Sequence, residues 1–235
     1  MTLSLRLAVL ALSCATATAA SAADRPIYIG SFDRVRVQGP FEVRIVDGSP
    51  GATLSGDRRV IEGVEVRVDG STLTIRNGIG QWGEQPRAAT TQPVVVTVSA
   101  RNIVSATVIG AGRLTIPRMK TTRVELAVTG AGVIIAGGID ADQANATVIG
   151  GGAITLAGRA ATTRLLANGP ATIDAGALVA GDATVRVDGP GEVKANARFT
   201  ATVDNLGLGQ VTVAGHPKCT VKANAGGPVT CGGGS

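Results

Sequence analysis

Large rings are almost missing from this chain of 235 residues, which holds three Phe, one Trp and one Tyr. A core of packed aromatics is therefore excluded, and any interior must be filled by small aliphatic groups. Histidine occurs once, as His216, so imidazole-based metal or proton-transfer chemistry has a single position available. Cysteine occurs three times, never as Cys-x-x-Cys. Past the first 23 residues there is no run of 18 apolar residues, so nothing else has the length of a membrane-spanning helix. Basic clusters are short. Arg58-Arg59 and Arg118-x-Lys120 are the densest, and neither is interleaved with aromatics on which bases could stack, which argues against nucleic acid as a partner.

What the chain has in quantity is glycine, 33 residues of it, and much of it is periodic. The figure reads VIGAGRLTI at 108–116, VTGAGVIIA at 128–136, VIGGGAITL at 148–156, NGPATIDA at 168–175, VDGPGEVKA at 187–195 and LGLGQVTV at 206–213. Its first glycines are Gly110, Gly130, Gly150, Gly169, Gly189 and Gly207, at steps of 20, 20, 19, 20 and 18 residues. A fixed period of this size marks a solenoid in which each repeat is one coil.

With each first glycine numbered zero, position +4 is Leu114, Ile134, Ile154, Ile173, Val193 and Val211, and position +6 is Ile116, Ala136, Leu156, Ala175, Ala195 and Val213. Upstream, position −2 is Val108, Val128, Val148, Ala167, Val187 and Asn205, and position −4 is Ala106, Leu126, Ala146, Leu165, Val185 and Val203. Apolar residues at every second position on both sides of a glycine turn describe two strands, each burying one face. Asn205 is the polar exception and reads as a satisfied corner residue. Glycine supplies the corner because a sharp bend needs positive φ or close backbone approach. The Gly-x-Gly is not a nucleotide fingerprint, because a strand follows it rather than a helix whose N-terminus could hold a phosphate. A single coil buries too little apolar surface to offset the ordering of its own backbone. Coils must stack, strand on strand in parallel.

A looser version of the pattern precedes the regular part. VQGPFEVRI at 37–45 turns at Gly39, and VEVRVDGSTLTI at 64–75 turns at Gly70. Residues 24–100 thus read as irregular N-terminal coils, with a polar loop at 77–93 that carries Trp82, and residues 101–235 read as the regular ones. Trp82 either pins that loop to the coil or is an exposed contact. The whole of 24–235 reads as one domain.

Residues 1–23 read as an export signal: Arg6, the apolar stretch Leu7 to Leu12, and small residues at Ala20-Ser21-Ala22 before a mature start near Ala23 or Asp24. Cys14 offers a competing route by lipid attachment, against which Ala11-Leu12-Ser13 is a poor match to the usual Leu-small-small pattern. Removing the signal lowers the formal charge from +5 by one, since it holds Arg6 and no acid. The remaining bias suits anionic surfaces such as acidic polysaccharide or lipid headgroups. Localisation is then the periplasm or the cell surface.

Cys219 and Cys231 survive that cleavage. If Ala225 is the zero of a last unit, Cys231 falls at +6 and Cys219 at −6, both pointing inward from strands flanking one corner. In an oxidising compartment this predicts a disulfide that staples the terminal coil. Metal binding is the alternative, for which the two sulfurs would need companions that His216 alone cannot supply.

SFDRVRVQGPFEVRIVDGS, VEVRVDGSTLTIRNG and PVVVTVSARNIVSATVIGAGRLTI, with the C-terminal AGHPKCTVKANAGGPVTCGG, resemble the bacterial family described as the putative auto-transporter adhesin head GIN domain. The likeness covers roughly residues 31–231. It implies an all-β, right-handed parallel β-helix of about 20 residues per coil, related in shape to pectin lyases, exported, with adhesion suggested and no catalytic residues to carry over. The two cysteines and the Gly-Pro corners depart from the family pattern.

The functional expectation is a non-enzymatic envelope protein, an adhesion or surface-binding module without cofactor, whose partner is envelope polysaccharide or another protein, and which can self-associate. A polysaccharide-cleaving enzyme would need clustered acids. Asp140 and Asp142 are its best candidates, with Asp174 and Glu192 in the following units, and solvated surface charge is the other reading of all four. A threonine ladder at +5, with Thr115, Thr155, Thr212 and Thr230, would suit a crystal surface, but Ile135, Asp174 and Lys194 interrupt it. A hexapeptide acyltransferase is disfavoured, because six does not divide the step and His216 lies in a terminal turn.

Overall fold

The computed structural model describes residues 23–78 and 93–232. The segment read as an export signal, Cys14, and Trp82 with nearly all of its loop lie outside them. In chain order the elements are β1 (Ala23–Ile27), β2 (Arg34–Gln38), β3 (Glu42–Asp47), β4 (Gly51–Gly56), α1 (Arg58–Glu62), β5 (Val64–Asp69), β6 (Thr72–Asn77), β7 (Val95–Ala100), β8 (Ser105–Gly110) and β9 (Arg113–Ile116). Long, bent strands follow: β10 (Met119–Gly130), β11 (Val133–Ile149), β12 (Ala153–Asn168), β13 (Thr172–Asp188) and β14 (Glu192–Asn205), then β15 (Gln210–Gly215), β16 (Lys218–Ala223) and β17 (Val229–Cys231).

These strands stack as a β-solenoid with the spacing the glycines set. On a first face β8 pairs in parallel with the end of β10, and the row continues through the ends of β11, β12 and β13 to β14 and β16. On a second face β9 pairs with the start of β11, and the row continues through the starts of β12, β13 and β14 to β15 and β17. Val108, Val128, Val148, Ala167, Val187 and Asn205 are register partners in one column, and Leu114, Ile134, Ile154, Ile173, Val193 and Val211 in another. All four columns read from the sequence are buried, none of their members more than 3 % exposed. Asn205 is buried as well, and it is satisfied: its amide donates to the Gly209 carbonyl at 2.7 Å and its Oδ1 accepts from the Gly207 N–H at 3.3 Å.

Each coil has a third segment that the alternation did not reveal. Met119 through Val124 stacks on Ile139 through Ala144, and the row runs on through Gly158–Thr163 and the middle of β13 to that of β14. Its inward residues include Met119, Ile139, Leu178, Ala180 and Ala197, all buried.

Seven of the eight corner glycines named above, Gly39, Gly70, Gly110, Gly130, Gly150, Gly169 and Gly189, have positive φ; Gly207 does not. Gly150 shows the constraint most plainly. At φ +107° it faces the Gly130 corner below, where a Cβ would lie 2.9 Å from the Gly130 carbonyl oxygen. Gly207 remains glycine by proximity instead, since a Cβ there would collide with the backbone of Gly189. Gly70 is a correction. It closes a tight hairpin in which Asp69 pairs with Thr72 and β5 runs antiparallel to β6. Period-two valines flank a hairpin and a coil corner alike, so alternation could not separate the two.

The N-terminal coils stack out of chain order. β2 lies between β6 and β8, and β3 between β7 and β9, so the first coil of the chain is the second rung of the stack. Above that rung the direction changes: β4 runs antiparallel to β7, and β1 antiparallel to β4. These strands and α1, which is capped by Asp57 and anchored by buried Ile61, cover the start of the column. Pro26 and Arg25 on β1 make it a poor template for another strand.

At the far end the Cys219–Cys231 disulfide is formed, with Cα atoms 6.3 Å apart. Cys219 is in register with buried Ala201 and Cys231 with buried Val213, so the bridge stands on two core columns and joins two faces of the last coil. With no further coil described above it, Cys219 is exposed rather than buried as the inward numbering predicts. Loop-closure entropy for a separation of 12 residues is worth about 3 kcal/mol.

Substituting Gly150 by Ala therefore combines left-handed strain with a backbone collision and should cost at least about 2 kcal/mol. Gly70→Ala, at φ +58° with nothing within 4 Å, should cost about 1 kcal/mol. Urea unfolding of both variants followed by far-UV circular dichroism checks the order. Equal midpoints would mean that the stacked corners do not limit stability.

Candidate binding groove

The one large irregularity of the stack is where β14 meets β13. Between the partners Asp174–Lys194 and Val179–Asn196, β14 has three residues fewer than β13. Between Ala180–Ala197 and Asp182–Thr200 it has one more. Together these shifts produce the 18-residue step from Gly189 to Gly207. The extra residue is a bulge, a device that re-aims side chains out of the ladder. Here it turns Arg198 and Phe199 to the outside of the third face, where Phe199 is 61 % exposed. Phe32 and Phe41 are buried, so of three phenylalanines this one is spent on the surface.

Phe199 leans over Gly181, where a Cβ would stand 3.5 Å from its Cδ2 and 2.6 Å from the Ala161 carbonyl oxygen. The small residues Ala161 and Gly181 thus form a low floor beside the ring. Arg198 lies over the ring, its guanidinium carbon 5.4 Å from the centroid, and forms no ion pair among the described residues. Asp182 accepts from the Thr200 hydroxyl at 2.5 Å. Two rungs away Arg159 donates from Nε and Nη2 to the two carboxylate oxygens of Asp140, at 2.9 and 3.0 Å. Val179, 41 % exposed, lies between these groups. The result is a shallow groove of about 450 Å³ with small apolar, cationic and acidic groups side by side.

The Arg159 hydrogen bond holds the Asp140 carboxyl below its ordinary value, opposed by desolvation and helped by the charges of Arg159 and Lys120. The same pairing raises the Arg159 guanidinium.

The four acids singled out from the sequence are divided between two faces. Asp140 lines the groove in a fork with Arg159, while Asp142 is exposed two residues on, with its backbone carbonyl accepting from Thr162. Asp174 and Glu192 lie on the second face, where Asp174 accepts from the Gly176 N–H at 3.0 Å and Glu192 pairs with Lys194 at 3.1 Å. The +5 threonines share a column there, interrupted as the sequence indicates by Ile135, Asp174 and Lys194. No group of three His, Cys, Asp or Glu among the described residues is placed to hold a metal ion. Sequence reasoning missed Arg198 and Phe199. Their signal was the shortened step, together with an arginine and an aromatic where neighbouring coils carry alanine or glycine.

Solved structures share this architecture. A putative adhesin from Bacteroides fragilis NCTC 9343 is 18 % identical, covers 92 % of this chain and 96 % of its own, and superposes with a TM-score of 0.75. A putative adhesin from Parabacteroides distasonis ATCC 8503 is 16 % identical, with coverage of 89 % and 96 % and a TM-score of 0.67. A protein of the same organism described as a putative lipid binding protein is 18 % identical, with the same coverage and TM-score. No curated protein matches the chain. At these identities the likeness speaks for the fold. The family model described as "Putative auto-transporter adhesin, head GIN domain" matches residues 31–217, most of the solenoid, and the chain belongs to that family.

Proposed function

We propose that this chain is an exported, non-enzymatic module of the cell envelope that works by adhesion, with the third-face groove as its contact region. Export is supported by residues 1–23, which have the order of a cleavable signal, and by a disulfide whose persistence suits an oxidising compartment. The mature chain then begins near Ala23 or Asp24, where β1 starts, and forms one domain to its end. Among the described residues no helix is long and apolar enough to cross a membrane. A role in contact rather than turnover is supported by the family and by the dispersal of the acids. Glycoside cleavage needs a carboxyl that can give up a proton to the substrate beside a second one. Asp140 is instead held ionised by Arg159, and Asp174 and Glu192 lie on another face, leaving only exposed Asp142 near it. The observation that carries the reading is the bulge itself. In a chain nearly devoid of aromatics, an interruption of the ladder sets on the outer surface a phenylalanine and an arginine that has no ion-pair partner among the described residues.

Fractionation of cells expressing the full chain should place it outside the cytoplasm, with an intact mass that starts at Ala23 or Asp24. The exported protein should bind envelope polysaccharide or whole cells and release no reducing ends from them. Retention in the cytoplasm at full length, or steady release of sugar ends, would overturn the proposal.

A depressed folded-state carboxyl contributes stability above its unfolded value, and that contribution is lost only as pH falls through the lower folded one. Asp140 followed by NMR should therefore titrate below the ~3.9 of an unstructured aspartate, and Arg159→Met should return it to that value. A midpoint in the wild type at or above 3.9 would free Asp140 for acid catalysis.

A further inference from the structure

Going one step beyond the adhesive reading, and resting on it, we infer that the groove is a subsite for an acidic polysaccharide, with Arg198 as the carboxylate-binding group and Phe199 as the platform for a sugar ring. Three independent features converge on that chemistry. The first is the guanidinium. It lies over the Phe199 ring with its central carbon 5.4 Å from the centroid and makes no ion pair among the described residues, and a planar fork of this kind matches a carboxylate by two parallel hydrogen bonds. The second is the floor. Ala161 and Gly181 leave a flat strip beside the Phe199 ring, into which a pyranose can lie with its C–H face toward apolar surface. The third is the set of polar edges. Asp182, half-engaged by Thr200, has acceptor capacity for sugar hydroxyls, and the Asp140–Arg159 fork offers its outer edge to more.

Direction and length fit an extended polymer. The groove crosses four rungs, from Asp140 on β11 to Phe199 on β14, along the axis of the solenoid. At ~4.8 Å between strands that is about 14 Å, enough for a short run of rings. A membrane surface fits less well, because the site is concave and the large apolar side chains exposed in it are just Phe199 and Val179. No bond is made or broken in this proposal; the ligand is held and released.

The test uses the exported protein and a β-1,4-mannuronate hexamer, with β-1,4-mannohexaose as the same chain without carboxylates, by isothermal titration calorimetry at two salt concentrations. The wild type should bind the charged hexamer about tenfold more tightly than the neutral one, a preference that fades at high salt. Arg198→Gln should abolish the preference while leaving neutral binding in place, and Phe199→Ala should weaken both by about tenfold. Leu208→Ala, which removes an exposed side chain outside the groove, should change nothing. Circular dichroism and melting of each variant check that the fold is kept. Equal affinity of the wild type for both hexamers would overturn the assignment. So would unchanged binding by Phe199→Ala and Arg198→Gln in protein that still adheres to cells, and that outcome leaves the adhesive reading intact. Binding of phosphatidylglycerol vesicles, lost in Phe199→Ala, with no binding of either hexamer, would overturn it in favour of a lipid surface. Failure of the exported protein to adhere to anything would remove the reading on which it rests.

Discussion

Backbone against backbone at the glycine corners is the contact on which the rest of the molecule depends. A strand row at ordinary ladder spacing brings each corner onto the one below, and the separation leaves no room for a Cβ at Gly150, Gly189 or Gly207. Once the corners stack, the residues two and four places away are forced into columns, and the columns must be filled by groups of similar size. Valine, isoleucine, leucine and alanine meet that demand and large rings do not, which accounts for a chain with so few aromatics. The interior becomes a run of thin aliphatic layers, and groups that recognise other molecules are displaced to the outer faces.

A column built this way has two ends with unpaired strand edges, and the chain treats them differently. At the start it reverses direction, laying β1, β4 and β5 antiparallel on the stack with α1 tucked beside them. At the other end a disulfide extends the core columns by one layer across the last coil. Between them Asn205 replaces an aliphatic layer and takes up backbone groups of the Gly207 corner.

Much of this was legible because the physics is periodic. Positions −4, −2, +4 and +6 are inward in every regular coil, and Cys219 and Cys231 meet where that numbering puts them. What was hidden fails to be periodic in a readable way. The third segment of each coil carries Ala141, Ala160 and Ala180 among polar neighbours, and such small residues do not mark an inside and an outside. The swap of the first two rungs is a long-range pairing that no local pattern encodes. The groove at Phe199 was masked by compensation, since three residues lost at one corner and one gained in the bulge look like a step two residues short. Asp140 was found, but its partner Arg159 sits one coil away, and only register reveals the fork.

If nearest-neighbour stacking of equivalent corners is what holds the molecule together, a whole coil should be removable. Deleting residues 130–149 joins Thr129 to Gly150 and sets the Gly150 corner directly on Gly110, in register. Deleting residues 130–139 removes half as much chain but leaves strands facing corners. The account predicts that the longer deletion keeps a cooperative β-sheet unfolding transition and a protected Cys219–Cys231 bridge, while the shorter one loses both. Survival of the shorter deletion, or equal collapse of the two, would contradict it.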